Sequence, residues 1–256
     1  MPKPKKFLTD AEIEERSRDV LNAHVAGGSE CPTLPIDIDT LTEADFGFKV
    51  TWDDIPDPKG CRTFATLLPT PSDHYAARLK LNSRFEAFLH AHPQIERLTR
   101  GHELAHWVLH VDEGQLRSGT LPFGDTEVVV RFHRIQESDS SLSSELKNRL
   151  AKFALADERA YRMLNPRHNE GNAWIEPQWM HRQAEHFSAC LLVPRKPLLR
   201  FLNSGDDPAL YGTHVRLANE FHVSKRVIQI RLIKLRIIEE YEPGQFRTLS
   251  RQHRLS

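Results

Sequence analysis

An α+β fold is predicted by three features of the 256-residue sequence. The segment at 46–52 alternates apolar and polar residues as strands do, those at 62–68 and 77–82 read as two more strands, and helical patterns lie on both sides of them. One of those helical patterns carries His102-Glu103-Leu104-Ala105-His106 within an apolar-faced run. The expected architecture is a small N-terminal β-sheet packed on that helix, with more helices behind it. The chain is expected to divide into a domain at 1–204, a helical segment at 208–241 and a flexible tail at 243–256.

Each element has a local reason. Thr9 is placed to cap a helix running to about residue 23, with Glu12 as its capping-box partner and Ile13, Val20 and Leu21 on one side. Residues 34–41 read as an extended stretch leading into a short helix, and the three strands follow. Leu98, Leu104, Ala105, Val108 and Leu109 give the segment around His102 and His106 a buried face. From 114 to 174 the pattern is polar and irregular, with a strand expected at 126–132 and a helix at 145–164. Residues 180–192 form a largely apolar helix stopped by Pro194. Two short helices within 215–232, turning at His222-Val223 with Ser224 as the second cap, make a helix-turn-helix-like pattern.

Composition sets limits on function. Lys plus Arg equal Asp plus Glu at 35 each, so no global field points to nucleic acid. Three cysteines, Cys31, Cys61 and Cys190, are widely spaced without a CxxC pair, which suits free thiols in a reducing compartment. The basic start, Met1-Pro2-Lys3-Pro4-Lys5-Lys6, lacks the apolar run of a signal peptide, and no stretch approaches a transmembrane length. A cytoplasmic protein without a membrane partner is expected.

The HELAH spacing carries the chemistry. On a helix, positions i and i+4 lie one turn apart on one face, so His102 and His106 can present two nitrogens to one Zn²⁺. Glu103, beside them, can take a proton from water that the ion acidifies, which implies peptide hydrolysis. A catalytic zinc site needs a third protein ligand and an open position. The helix at 180–192 offers His181 and Glu185, again i and i+4, one as ligand and one as the carboxylate that orients an imidazole. An oxyanion stabiliser is also required, for which Tyr161, His168 and His110 are candidates.

Further segments extend the pattern. Leu34-Pro35-Ile36-Asp37-Ile38 stands near the start, Leu79-Lys80-Leu81-Asn82 before HELAH, and His110 just after it. Gln183-Ala184-Glu185-His186-Phe187-Ser188-Ala189-Cys190-Leu191-Leu192-Val193-Pro194 resembles the signature E-x-x-A-N/D-x-F-A-x-x-L-L-x-P, and Phe221-His222-Val223-Ser224 with Arg231-Leu232 looks like a matching C-terminal segment. Through these residues the sequence resembles the ImmA/IrrE family of bacterial and phage metallopeptidases. The resemblance implies a zincin-like, gluzincin-type zinc endopeptidase. Its protein substrate is expected to be a helix-turn-helix transcriptional repressor, often encoded beside it, whose cleavage relieves repression.

Two departures stand out. The family's third ligand is the Glu that opens the signature, and that position here is His181. A His102/His106/His181 site with Glu185 behind it is chemically sound, and three neutral imidazoles leave the ion with more net charge than His₂Glu does. The alternative is Glu185 itself as third ligand. The second departure is the long 114–174 interval, an insertion read either as a lid or partner-binding element or as surface elaboration.

A rival reading from another class is a catalytically weak or inactive metal-binding regulator, within a toxin-antitoxin or mobile-element module, acting through protein or DNA. Lys225, Arg226 and Arg231 would then serve as a recognition helix does. The apolar run Val227, Ile228, Ile230, Leu232, Ile233 and Leu235 argues instead that this helix packs on the rest of the chain, so direct nucleic-acid binding is not expected.

Overall fold

The computed structural model describes residues 8–25, 32–56, 63–68, 75–111, 178–202 and 205–249. The strand expected at 126–132, the helix at 145–164 and the 114–174 insertion lie outside the described residues, as do Cys31 and Cys61.

The described chain is mixed α and β. Helix α1 (Asp10–His24) begins at the predicted cap: Thr9 Oγ1 accepts from the Glu12 backbone at 3.3 Å, and Glu12 accepts from the Thr9 backbone at 2.8 Å. Its buried Ile13, Ser17 and Leu21 recur every fourth residue and form one stripe. The short α2 (Ile38–Thr40) is capped by Asp37 and widens into a π-turn at Leu41–Asp45.

Strands β1 (Phe48–Asp53), β2 (Ala65–Leu68) and β3 (Ala77–Asn82) form one sheet in the order β1-β3-β2. Strand β1 runs parallel to β3, with Phe48 opposite Ala77, and β2 runs antiparallel to it, with Leu67 opposite Leu79. On β3, Ala77, Leu79 and Leu81 are buried while Arg78 and Lys80 between them are not, the two-residue alternation of a sheet with one face on the core. Asn82 closes the sheet's end: its amide donates to the carbonyls of Ile55 at 3.0 Å and Thr63 at 2.7 Å.

Beyond α3 (Glu86–Ala91), Pro93 opens the long α4 (Pro93–His110), where its missing N–H costs nothing. The sheet packs on α4 through aromatic contact, Phe48 meeting Trp107 edge-on at 5.5 Å between centroids. Arg100 is buried on α4 and reaches Glu96 at 3.0 Å and Glu43 at 3.1 Å, tying the helix to the π-turn.

Helix α5 (Gln178–Leu192) lies antiparallel to α4. Ser188 Oγ donates to the Leu98 carbonyl at 3.3 Å near one end, and His110 Nε2 sits 3.4 Å from the Met180 carbonyl at the other. The two helices approach closely because residue 101 is glycine. A Cβ there would stand 2.8 Å from Ser188 Oγ. Helix α1 covers another side of α5, where Gln183 donates to the Leu8 carbonyl at 2.9 Å.

The chain continues through α6 (Arg195–Leu202), α7 (Tyr211–Phe221) and α8 (Lys225–Lys234). His222, left-handed at φ 50°, makes the turn between α7 and α8. The core runs without a break from Leu8 through Leu104 and Phe187 to Leu217, Ile228 and Ile238.

One expectation is corrected, and the basic helix of the rival reading loses a member. Residues after 243 do not all form a tail: β4 (Ile238–Glu242) and β5 (Gln245–Thr248) pair as an antiparallel hairpin. Pro243-Gly244 makes its turn, with Gly244 at φ 78°, a conformation open to glycine at no steric cost. Arg231 is no exposed basic residue. It is 0% exposed, because α8 presents this face to α1 and α5.

Candidate metal centre

The predicted site residues come from two antiparallel helices. His102 and His106 lie one turn apart on α4, 1% and 0% exposed, with Nε2 atoms 3.0 Å apart. Glu103 between them in sequence is 0% exposed. From α5, the His181 ring stands 4.6 Å from that of His102, the same centroid separation as His102 to His106. The close passage at Gly101 brings α5 near enough for this.

Glu185 lies outside His181. Its carboxylate is 3.4 Å from His181 Nε2, and its side chain is 52% exposed against 18% for His181. Of the two α5 candidates, the imidazole is therefore the inner group.

The donors suit zinc. With Zn–N bonds of about 2.0–2.1 Å and tetrahedral angles, two ligand nitrogens sit roughly 3.3–3.4 Å apart. The 3.0 Å between His102 and His106 Nε2 is within a few tenths of that spacing.

Of the oxyanion candidates, Tyr161 and His168 lie outside the described residues. His110 is 3% exposed, set edge-on against Trp179 at 5.7 Å, with Nε2 toward the Met180 carbonyl at 3.4 Å. That is the placement of a helix residue packed between α4 and α5.

A second group escaped the sequence reading. Donor atoms of Glu14, His186 and Cys190 all lie within 4.8 Å of one another, near enough to share a metal ion. Arg231 opposes that use. Its two terminal nitrogens each donate to a Glu14 oxygen at 2.7 Å, and its Nε donates to the Val193 carbonyl at 3.0 Å. The guanidinium thus holds both carboxylate oxygens and sets a fixed positive charge where a cation would bind.

Electrostatics describe the same cluster. Burial pushes the Glu14 carboxyl up, but hydrogen bonds and charge from Arg231 outweigh it and hold the group below its ordinary value. Burial pushes the Cys190 thiol up to about 12, so it stays protonated and unreactive at neutral pH. The i, i+4 spacing of His186 and Cys190 was visible in the sequence; the approach of Glu14 and Arg231 was not.

His186 makes stability depend on pH. Burial, with Lys234 and Arg231 acting against Asp10 and Glu14, lowers its pKa from 6.5 to about 4. Between those values the unfolded chain binds the proton and the folded one does not, so stability falls as pH drops from about 6.5 toward 4. The expected loss is about 2 kcal/mol between pH 7 and pH 5. Urea unfolding at the two pH values checks it, and His186→Gln is expected to flatten that dependence.

Among the described residues no helix is long and apolar enough to cross a membrane. In comparison with known proteins, residues 142–233 match the family model described as the IrrE N-terminal-like domain, a peptidase family. The matched segment contains His181 and Glu185, and the HELAH helix precedes it. No curated protein matches the chain.

Proposed function

Residues 142–233 belong to the ImmA/IrrE family of peptidases, and from that premise we propose that this chain is a zinc-dependent endopeptidase that cleaves a partner transcriptional repressor. The observation that carries the reading is the meeting of two helices at one point. The His102 and His106 Nε2 atoms are 3.0 Å apart on α4, and the ring of His181, from the matched segment, stands 4.6 Å from that of His102.

In this reading His102, His106 and His181 hold the ion, with His181 favoured over Glu185 because it is the inner of the pair. Glu185 accepts a hydrogen bond from the His181 ring and fixes its orientation, which strengthens it as a ligand. When bound, zinc supplies a Lewis acid that polarises the scissile carbonyl and makes nearby water acidic. Glu103 takes the proton from the attacking water and delivers it to the leaving amine, a role that suits a carboxylate shielded from bulk solvent. Charge rises on the carbonyl oxygen as water adds, and a donor from outside the described residues, Tyr161 or His168, is the proposed stabiliser.

The division at 1–204 and 208–241 is kept as a proposal, with the second segment anchored on the first. The regulator reading is less well supported, since Arg231 is committed to Glu14 and Val193 and leaves α8 with a weaker basic face. Incubating the zinc-loaded protein with helix-turn-helix repressors encoded beside it tests the proposal. One zinc-dependent cut, read by fragment mass and stopped by a chelator, is expected. Intact repressors under zinc-replete conditions would count against repressor cleavage.

A further inference from the structure

A cavity of ≈ 40 Å³ opens beside the metal centre, lined by Leu98 and His102 of α4, Glu185 and Ala189 of α5, and Val227 and Ile230 of α8. Ala189 and Val227 are buried and Leu98 and Ile230 are half-buried, so four apolar side chains enclose the space. The polar residues among its lining, His102 and Glu185, both belong to the candidate centre. The third wall comes from α8, well beyond the HELAH helix in sequence.

We propose that this cavity is a substrate subsite that takes one aliphatic side chain flanking the scissile bond, and that Ile230 and Val227 set its size. The inference rests on the peptidase reading above and names the class of residue it acts on. A volume of ≈ 40 Å³ holds about three water-sized groups, roughly the bulk of a valine or leucine side chain. The four apolar side chains favour such an occupant, and the Glu185 carboxylate in the same lining repels a second carboxylate. His102 in the lining places an occupant next to the reacting carbonyl.

This gives α8 a task. Arg231, one position past Ile230 and one turn on from Val227, fixes the helix through Glu14 and the Val193 carbonyl, which holds the wall in place. A pocket built between helices fixed in this way discriminates by size, by roughly 10–200-fold per methylene.

Two measurements test the proposal. In the first, methyl signals of Ile230, Val227 and Leu98 are followed by nuclear magnetic resonance while N-acetyl-leucinamide is added to the full-length protein, with N-acetyl-aspartamide as the contrast. A saturable shift with the leucine compound alone, lost in Ile230→Phe while the remaining spectrum stays that of a folded protein, is expected. No shift, or equal shifts with both compounds, overturns the subsite. In the second, zinc-loaded protein is given a random peptide library and its cut sites are read by mass spectrometry. Wild type is expected to cut beside Val or Leu, Ile230→Ala to move at least tenfold toward Phe and Met, and Ile230→Phe toward Ala and Gly. Cleavage with a profile indifferent to Ile230 overturns the subsite and leaves the peptidase reading standing. A leucine-specific shift in a protein that cuts no peptide overturns the peptidase reading, and with it the cavity's role in substrate selection.

Discussion

Glu103→Gln is expected to lower peptide cleavage by roughly 10²–10⁴-fold while leaving the bound zinc in place. The substitution keeps the length and shape of a side chain that is 0% exposed, so neither a cavity nor a clash is created. It removes the one property the proposed mechanism needs, the capacity to accept and return a proton. The imidazoles of His102 and His106 are untouched, and metal content should equal that of the wild type. Activity and zinc stoichiometry measured on one preparation separate the base from the ligands. Wild-type turnover in this variant would mean that Glu103 is not the base.

The second large effect is on stability. Glu14→Gln is expected to destabilise the fold by about 3–5 kcal/mol, because it leaves the guanidinium of Arg231 buried without its counter-charge. Arg231 has a 0% exposed side chain, and its bidentate bond to Glu14 joins α8 to α1 across the α5 helix. For a chain of this size the loss corresponds to roughly 6–20 °C in Tm. The double variant Glu14→Leu with Arg231→Met is expected to recover most of it, since an apolar pair of similar volume carries no desolvation penalty. Glu14 is also held below its ordinary carboxyl range, so its contribution is complete above about pH 4.5 and is lost as pH falls below that value. This window lies below most of the one set by His186. Thermal melts of both variants check the account. A change within about 0.5 kcal/mol in Glu14→Gln would show that the pair does not hold α8 in place.

What the sequence revealed depended on how far apart the cooperating residues stand. Thr9 and Glu12 are three positions apart, and the capping box they predict is present. The strands around Val50 and Leu79 were legible from alternation, whereas β2 does not alternate, since Ala65, Thr66 and Leu67 are buried in succession. The pairing of His102 with His106 follows from helical geometry alone, and the α5 candidates needed only a second helix of the same kind. Arg231 and Glu14 are separated by 217 positions, and no local pattern marks one for the other. Read along α8, Arg231 was one more basic residue beside Lys225 and Arg226; only the packing of α8 on α1 and α5 turned it inward. The hairpin at 238–248 carried a local signal in Pro243-Gly244, but its charged strands, rich in Glu239, Glu240 and Glu242, lack the apolar alternation that usually marks a strand. Ile238 is buried there and the rest of β4 is not, so the pairing is anchored at one end.

We propose that one zinc ion sits where α4 meets α5. Elemental analysis of zinc-replete, full-length protein tests it most directly, with wild type measured beside His102→Ala, His181→Ala, Glu185→Ala and Cys190→Ser. One zinc per chain is expected in wild type, with its loss in His102→Ala and His181→Ala and its retention in Glu185→Ala and Cys190→Ser. Zinc that disappears with Cys190 and persists without His102, or no zinc in wild type at all, would contradict it.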